Sequence, residues 1–157
     1  MPKRHLVDLA ATATRLADST ALWESLVEYD PVSRYYARLA LTREHEAWLL
    51  TWVPGQGTDW HDHGGSAGAF TVVRGALTEE HAVLQDDESA LVASTRELGT
   101  GSLRPFGTRH IHRVTNTSLE PAVSIHVYAP ALTRMNGYVR EGDRLRLIES
   151  RLAGVAW

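Results

Sequence analysis

The sequence predicts a mainly β domain, a closed barrel or sandwich with short helices packed on its outside. Three observations predict it. From Arg34 onward the apolar residues recur with a period of two, turn residues punctuate the chain at fairly regular intervals, and a helical period is confined to residues 1–30. The 157 residues, 43% hydrophobic and 22% charged, suit a single domain spanning 1–157 and exclude a large multidomain enzyme.

The elements follow in order. Leu6, Leu9, Ala10, Ala13 and Leu16 recur at spacings of three and four, which places one apolar stripe on a helix ending near Ala17. Ser19 or Thr20 can cap a second short helix with Leu22, Trp23, Leu26 and Val27 on its apolar face. Asp30-Pro31 stops it, because the residue before proline avoids the helical region. Short β-rich runs over 35–41, 47–53, 69–73 and 122–128 then form the body of the barrel, residues 34–130. Breaks at Pro54-Gly55, Gly64-Gly65, Gly75, Asp86-Asp87, Gly99, Gly107 and Pro130 separate the strands. The last segment, 131–157, mixes Arg144, Arg146 and Arg151 with Leu145, Leu147, Ile148 and Leu152 and is expected to close the barrel as a strand or a short helix.

Composition narrows the chemistry. The chain has no cysteine, which excludes a disulfide scaffold, a cysteine-ligated zinc or iron–sulfur site and a cysteine nucleophile. Any metal must rest on His, Asp or Glu, so the eight histidines become the residues to follow. A net charge of -3 gives no broad basic footprint for nucleic acid, and a small polar substrate fits better. Neither a membrane span nor a signal peptide is readable, and a soluble cytoplasmic monomer is the expectation.

The most informative stretch is Trp60-His61-Asp62-His63-Gly64-Gly65. On an extended backbone His61 and His63 point to the same side and can grip one ion, and imidazole suits iron, zinc, copper and nickel alike. His110 and His112 form a second pair of the same spacing, of which one need bind. A His-x-His pair by itself also fits two imidazoles satisfied on a surface or in a core. Ser124, His126 and Tyr128 alternate with Val123, Ile125 and Val127, so the three polar groups share one strand face. If that face is buried, a linked Ser–His–Tyr network is the economical arrangement.

Gly55, His61, His63 and Gly75, followed by Gly99, Pro105, Gly107, His112 and Asn116, resemble the two motifs of the cupin superfamily. The resemblance implies a cupin-type jelly-roll barrel. Only His112 keeps the motif's spacing to asparagine, which implies His61, His63 and His112 as ligands and leaves His110 behind them or on the surface. The glutamate that usually follows the first motif is missing, with Ala67 and Gly68 in its place. Three neutral imidazoles then leave a divalent charge uncompensated, which favours an anionic ligand such as a thiolate.

From about Tyr35 to Pro130 the chain resembles the cysteine dioxygenase family, most closely in the run Glu120-Pro121-Ala122-Val123-Ser124-Ile125-His126-Val127-Tyr128-Ala129-Pro130. The resemblance implies Fe(II) as cofactor, L-cysteine and dioxygen as substrates and cysteine sulfinate as product. It places Tyr128 beside the metal, with His126 orienting the phenol and Ser124 holding His126. Arg38, with Tyr36 near it, is implied as the anchor of the substrate carboxylate. Some family members crosslink the tyrosine to a cysteine whose position here is Gly68, so no crosslink can form. Among the rest, Trp52, Trp60 and Phe70 are candidates to wall the cavity, and Asp62 and Arg113 to stand behind the ligands or on the surface. Glu79, Glu80, Asp86 and Asp87 read as a solvated hairpin rim, and His5, His45 and His81 as exposed. The alternatives are dioxygenation of 3-mercaptopropionate or another small thiol on the same iron, a non-catalytic cupin binding a small ligand or metal, and a zinc or nickel cupin with isomerase or hydrolase activity.

Overall fold

A computed structural model describes residues 3–87 and 89–153. Helix α1, Lys3–Asp18, is followed by a single turn α2, Thr20–Trp23, and a 3-10 turn, Glu24–Leu26. Eleven strands come next: β1 Tyr36–Leu41, β2 Glu46–Trp52, β3 Trp60–His61, β4 Ala67–Arg74, β5 Ala76–Leu84, β6 Ala90–Gly99, β7 Leu103–Phe106, β8 Ile111–Thr115, β9 Ala122–Ala129, β10 Arg134–Glu141 and β11 Arg144–Leu152. One sheet has the order β1-β2-β9-β4-β7, and the other runs β10-β11-β6-β5-β8-β3 and closes on itself through the β3–β10 pair. This is the mainly β barrel with external helices that the periodicity predicts. Residues 131–152 form a hairpin of two strands, and β10 closes the barrel against β3. His5 and Leu6, whose side chains belong to the predicted readings, and residues 154–157 lie outside the described side chains.

Strand β9 organises the molecule, because all eight of its residues are buried. Val123, Ile125, Val127 and Ala129 join Leu9, Ala13, Leu16 and Trp23 in the layer between sheet and helices. Ala122 and Tyr128, on the opposite face, belong to the barrel core with Leu50, Trp52 and Phe70. The pleat therefore divides one strand between two cores. The second helix is smaller than its sequence face suggests. Of its apolar residues Trp23 is buried whereas Leu22 and Leu26 are exposed, and Ser19 does not cap it, since its hydroxyl donates back to the Arg15 carbonyl.

Two close approaches hold the site in register. Gly68 lies opposite Tyr128 on the β4–β9 ladder, and a Cβ there would stand 2.4 Å from the end of the Phe106 ring and 2.7 Å from the Val127 carbonyl. Asn116, fully buried, donates to the carbonyls of Trp52 and Glu120 and so ties the loop after β8 to the end of β2. A Gly68→Ala variant is expected to lose about 1–3 kcal/mol of stability by overpacking, as neither the ring nor the backbone can retreat freely. Urea denaturation against the parent chain checks this.

Candidate metal centre

β3 and β8 bring three candidate ligand histidines together. His61 pairs directly with His112 across the two strands, and His63 follows two residues on, so three imidazoles converge inside the barrel. Their ring centroids are 5.0 Å apart for His61 and His63, 4.7 Å for His61 and His112, and 5.0 Å for His63 and His112. One nitrogen from each lies within 4.8 Å of the others, and all three residues are buried. Two nitrogens bound to one zinc-sized ion stand at most about 4.2 Å apart, so small side-chain adjustments suffice.

The tautomers suit a cation. The His61 Nδ1–H donates to the Asp59 carbonyl at 2.8 Å, and the His112 Nδ1–H donates to Glu79 Oε2 at 2.8 Å. Each ring is left with Nε2 as its basic nitrogen. The His63 Nδ1 is buried without a hydrogen-bond partner among the described residues. Burial pulls His61 down to about 4 and holds His63 and His112 well below the ordinary histidine value, so all three are neutral donors at neutral pH. A neutral imidazole trio of this kind fits a divalent transition metal.

Beside the trio runs the predicted polar row. Ser124 Oγ is 2.7 Å from His126 Nε2, and the Tyr128 hydroxyl is 3.4 Å from His126 Nδ1. The indole N–H of Trp52 donates to Ser124 Oγ at 2.9 Å. Because indole can only donate, Ser124 Oγ accepts from Trp52 and keeps its own proton and a second lone pair for His126 Nε2. Burial drops His126 to about 3 and pushes the Tyr128 phenol up, so the row works as a neutral hydrogen-bond chain. The Tyr128 ring lies 5.3 Å from that of His63, beside the imidazole trio.

A cavity is lined by His61, His112, His126, Tyr128, Trp52 and Arg34, with Met135 and Arg151 contributed by the C-terminal hairpin. Here the structure corrects the expected cation. Arg38 does not line the cavity: it stays exposed on the edge strand β1, 5.7 Å over the Trp48 ring, and Tyr36, 40% exposed, meets the same ring edge-on. Trp48 stands opposite Arg38 in the ladder. Arg34, just before β1, lies over Trp52 at 5.1 Å, and its Nη1 is buried without a hydrogen-bond partner among the described residues. Burial pulls the guanidinium down to about 10, still cationic at neutral pH.

Glu79 is the second correction. It is no part of a solvated rim but fully buried, with Oε1 2.6 Å from Arg104 Nε and Oε2 shared by the Nδ1–H of His112 and, at 3.3 Å, His110 Nε2. Burial would raise its carboxyl, but the hydrogen bonds from His110, His112 and Arg104 hold it far below the usual carboxylate range. The signal in the sequence was the alternation of Leu77 with Glu79, which puts both on the inner face of β5. His110 is likewise buried, stacked between Phe106 and His81, each at 4.7 Å. His81 and His45 are part-buried rather than exposed. Trp60 faces a separate cluster with Ile111 and Leu145, whereas Phe70 stacks on His126 at 5.0 Å. Asp62 is held by Asn136 and Tyr138, Arg113 is exposed near Glu80, and Asp86 and Asp87 lie exposed at the hairpin end.

Known proteins are similar to this chain. A family profile described as cysteine dioxygenase type I matches residues 4–141. Among solved structures, a protein of Thermus thermophilus is similar at 21% identity, with a TM-score of 0.59 over 69% of this chain and 93% of that one. A double-stranded β-helix protein of Klebsiella pneumoniae is similar at 18% identity and TM-score 0.58, over 68% of this chain and 80% of that one. A cupin superfamily protein of Desulfitobacterium hafniense has 11% identity and TM-score 0.55, over 69% and 87% of the two chains. These likenesses establish the cupin fold. No described helix is long and apolar enough to cross a membrane.

The buried histidines generate an acid-stability prediction. A histidine held neutral in the folded chain contributes stability that is complete above its unfolded value of 6.5 and is lost as pH falls toward its folded value, about 4 for His61 and about 3 for His126. The metal-free protein is therefore expected to keep a constant melting temperature above about pH 7 and to lose stability steadily between about 6.5 and 4. Melting curves across that range test it, and equal stability at both ends would contradict the neutral trio.

Proposed function

Because the chain belongs to the cysteine dioxygenase type I family, we propose that it oxidises L-cysteine with dioxygen to cysteine sulfinate at Fe(II) held by His61, His63 and His112. The observation that carries this reading is one shared cavity. In it meet the imidazoles of His61 and His112, the His126 and Tyr128 end of the buried polar row, and Arg34, whose buried Nη1 has no hydrogen-bond partner among the described residues. When bound, ferrous iron supplies a Lewis acid that favours thiolate over thiol and the electrons that activate dioxygen. The protein supplies the rest.

Arg34, rather than Arg38, takes the substrate carboxylate in this reading. Its planar fork offers two parallel donors, and Trp52 beneath it limits its swing. Arg151 also reaches the cavity but is occupied by Glu149 at 2.9 Å. The carboxylate fixed at Arg34 orients the thiol toward the imidazole trio, a positioning effect that makes the reaction effectively intramolecular. Tyr128, 3.4 Å from His126 Nδ1 through its hydroxyl, offers its phenol to the reacting group next to His63 in this reading. Both oxygen atoms of dioxygen end on sulfur, and thiol plus dioxygen balances sulfinic acid without a further reductant.

A second reading, oxidation of 3-mercaptopropionate, rests on the same cation, since both thiols carry a carboxylate and differ by the amine. Oxygen uptake and sulfinate formation with L-cysteine, 3-mercaptopropionate and cysteamine, which lacks the carboxylate, separate these readings. L-cysteine is expected to be consumed one-to-one with dioxygen. Arg34→Ala is expected to lower kcat/KM for the carboxylate thiols about 10- to 100-fold, the loss of one charged hydrogen-bond pair, and to leave cysteamine unchanged. Arg38→Ala is expected to change each substrate less than twofold, roughly the scale of an exposed contact. His112→Ala is expected to purify without iron and to form no sulfinate, and a non-catalytic binding protein would consume no dioxygen with any thiol.

A further inference from the structure

The three imidazoles are not equivalent, and the difference lies behind them. His61 hands its Nδ1 proton to a neutral carbonyl, the His63 Nδ1 has no partner among the described residues, and His112 alone hands its proton to a carboxylate. We propose that Glu79 is the positioning residue of the metal centre: through the His112 ring it supplies the negative charge that a directly ligating carboxylate would bring, and Arg104 tempers that charge. The inference rests on the metal reading of His61, His63 and His112 given above.

The geometry argues it in three steps. First, Glu79 cannot reorient. It is fully buried, and Arg104, His110 and His112 hold its two oxygens from different directions. Second, its placement is built into the sheet. Glu79 stands opposite Val114 on the β5–β8 ladder, and His112, two residues before Val114, is its diagonal neighbour on the same face. Third, a carboxylate can only accept, so it fixes the proton on His112 Nδ1, leaves Nε2 as the donor and makes the ring a stronger base. The sequence lacks a glutamate after His63, with Ala67 and Gly68 there instead. A carboxylate has come in from β5, one imidazole removed from the ion.

Two other roles are open to the same residue. Glu79 with Arg104 could be a buried ion pair that only stabilises the barrel. Alternatively, Glu79, His110 and His112 offer three donor atoms within 4.8 Å of one another and could hold a second ion of their own. Opposite signs of effect separate the proposal from the first, and stoichiometry from the second.

The test is Co2+ binding by chelator competition in the full chain, comparing the parent with Glu79→Gln and Arg104→Gln, alongside the Fe(III)/Fe(II) midpoint potential. Glu79→Gln keeps an acceptor for His112 but removes the charge. It is expected to bind Co2+ about 10- to 100-fold more weakly and to shift the midpoint potential upward. Arg104→Gln, which leaves the Glu79 charge undivided, is expected to bind several-fold more tightly. Affinity unchanged in Glu79→Gln, or weakened in both variants alike, overturns the proposal in favour of a merely structural pair. Should Glu79→Gln fail to fold, the sign of the Arg104→Gln effect decides alone. Two ions per parent chain would overturn it in favour of a separate site. A parent chain that takes up no Co2+ overturns the metal reading and this inference with it, whereas tight parent binding that ignores Glu79 overturns the inference alone.

Discussion

Strand β9 is buried on both faces, and this constraint reaches every part of the site. A strand covered by helices on one side and by a barrel on the other has no solvent in which to rest a polar group. Ser124, His126 and Tyr128 must therefore find partners inside, where an unsatisfied group costs about 1–3 kcal/mol. The partners come from one another and from Trp52 on the neighbouring strand β2. The apolar alternates, Val123, Ile125 and Val127, meanwhile hold the sheet to α1. The helices thus support the site from the far face of β9, which they keep dry on the side away from the chemistry.

The same dryness governs charge. The imidazoles of the trio, buried and close to one another, are all held neutral, which is the state in which nitrogen can donate to a metal. Among the charges in or beside the cavity, Glu79 and Arg34 differ in how they are compensated. Glu79 is enclosed by three donors and remains an anion facing the back of His112. Arg34 has a buried nitrogen without a partner among the described residues and faces the space where substrate would lie. A closed negative charge behind the imidazole trio and an open positive one in front of it would suit an ion that receives an anionic substrate.

What the sequence revealed followed from the period of two. His61 with His63, and Ser124 with His126 and Tyr128, were legible because strand geometry alone places alternate residues on one face, and that geometry survives folding. The barrel and its outer helices were legible for the same reason. Arg34 and Glu79 were not. The alternation of Glu79 with Leu77 puts the two on one face, but that this face is the buried one, and that Arg34 just before β1 turns inward, depends on what packs against them, a long-range fact. Arg38 fails as the cavity cation for that reason: β1 is an edge strand, and Trp48, opposite it, takes up its guanidinium at the exposed end of the sheet. The choice of His112 over His110 has a physical basis in the ladder. His112 is in register with His61, whereas His110 precedes the first residue of β8 and turns toward Phe106 and His81.

The absence of cysteine gains a structural counterpart in Phe106. Its ring stacks on His63 at 4.6 Å, lies 6.3 Å from the Tyr128 ring, and fills the space into which a side chain at position 68 would project. A bare glycine opposite Tyr128 is thus a packing requirement as well as a missing thiol. Where a thioether could otherwise restrain the phenol, this chain has an aromatic wedge on one side and the Trp52–Ser124–His126 chain on the other. A wedge restrains position without altering the electronics of the ring, so Tyr128 keeps the high proton affinity of a buried phenol. In this row the bond whose direction chemistry alone fixes is the one from the Trp52 indole, which can only donate, to Ser124 Oγ.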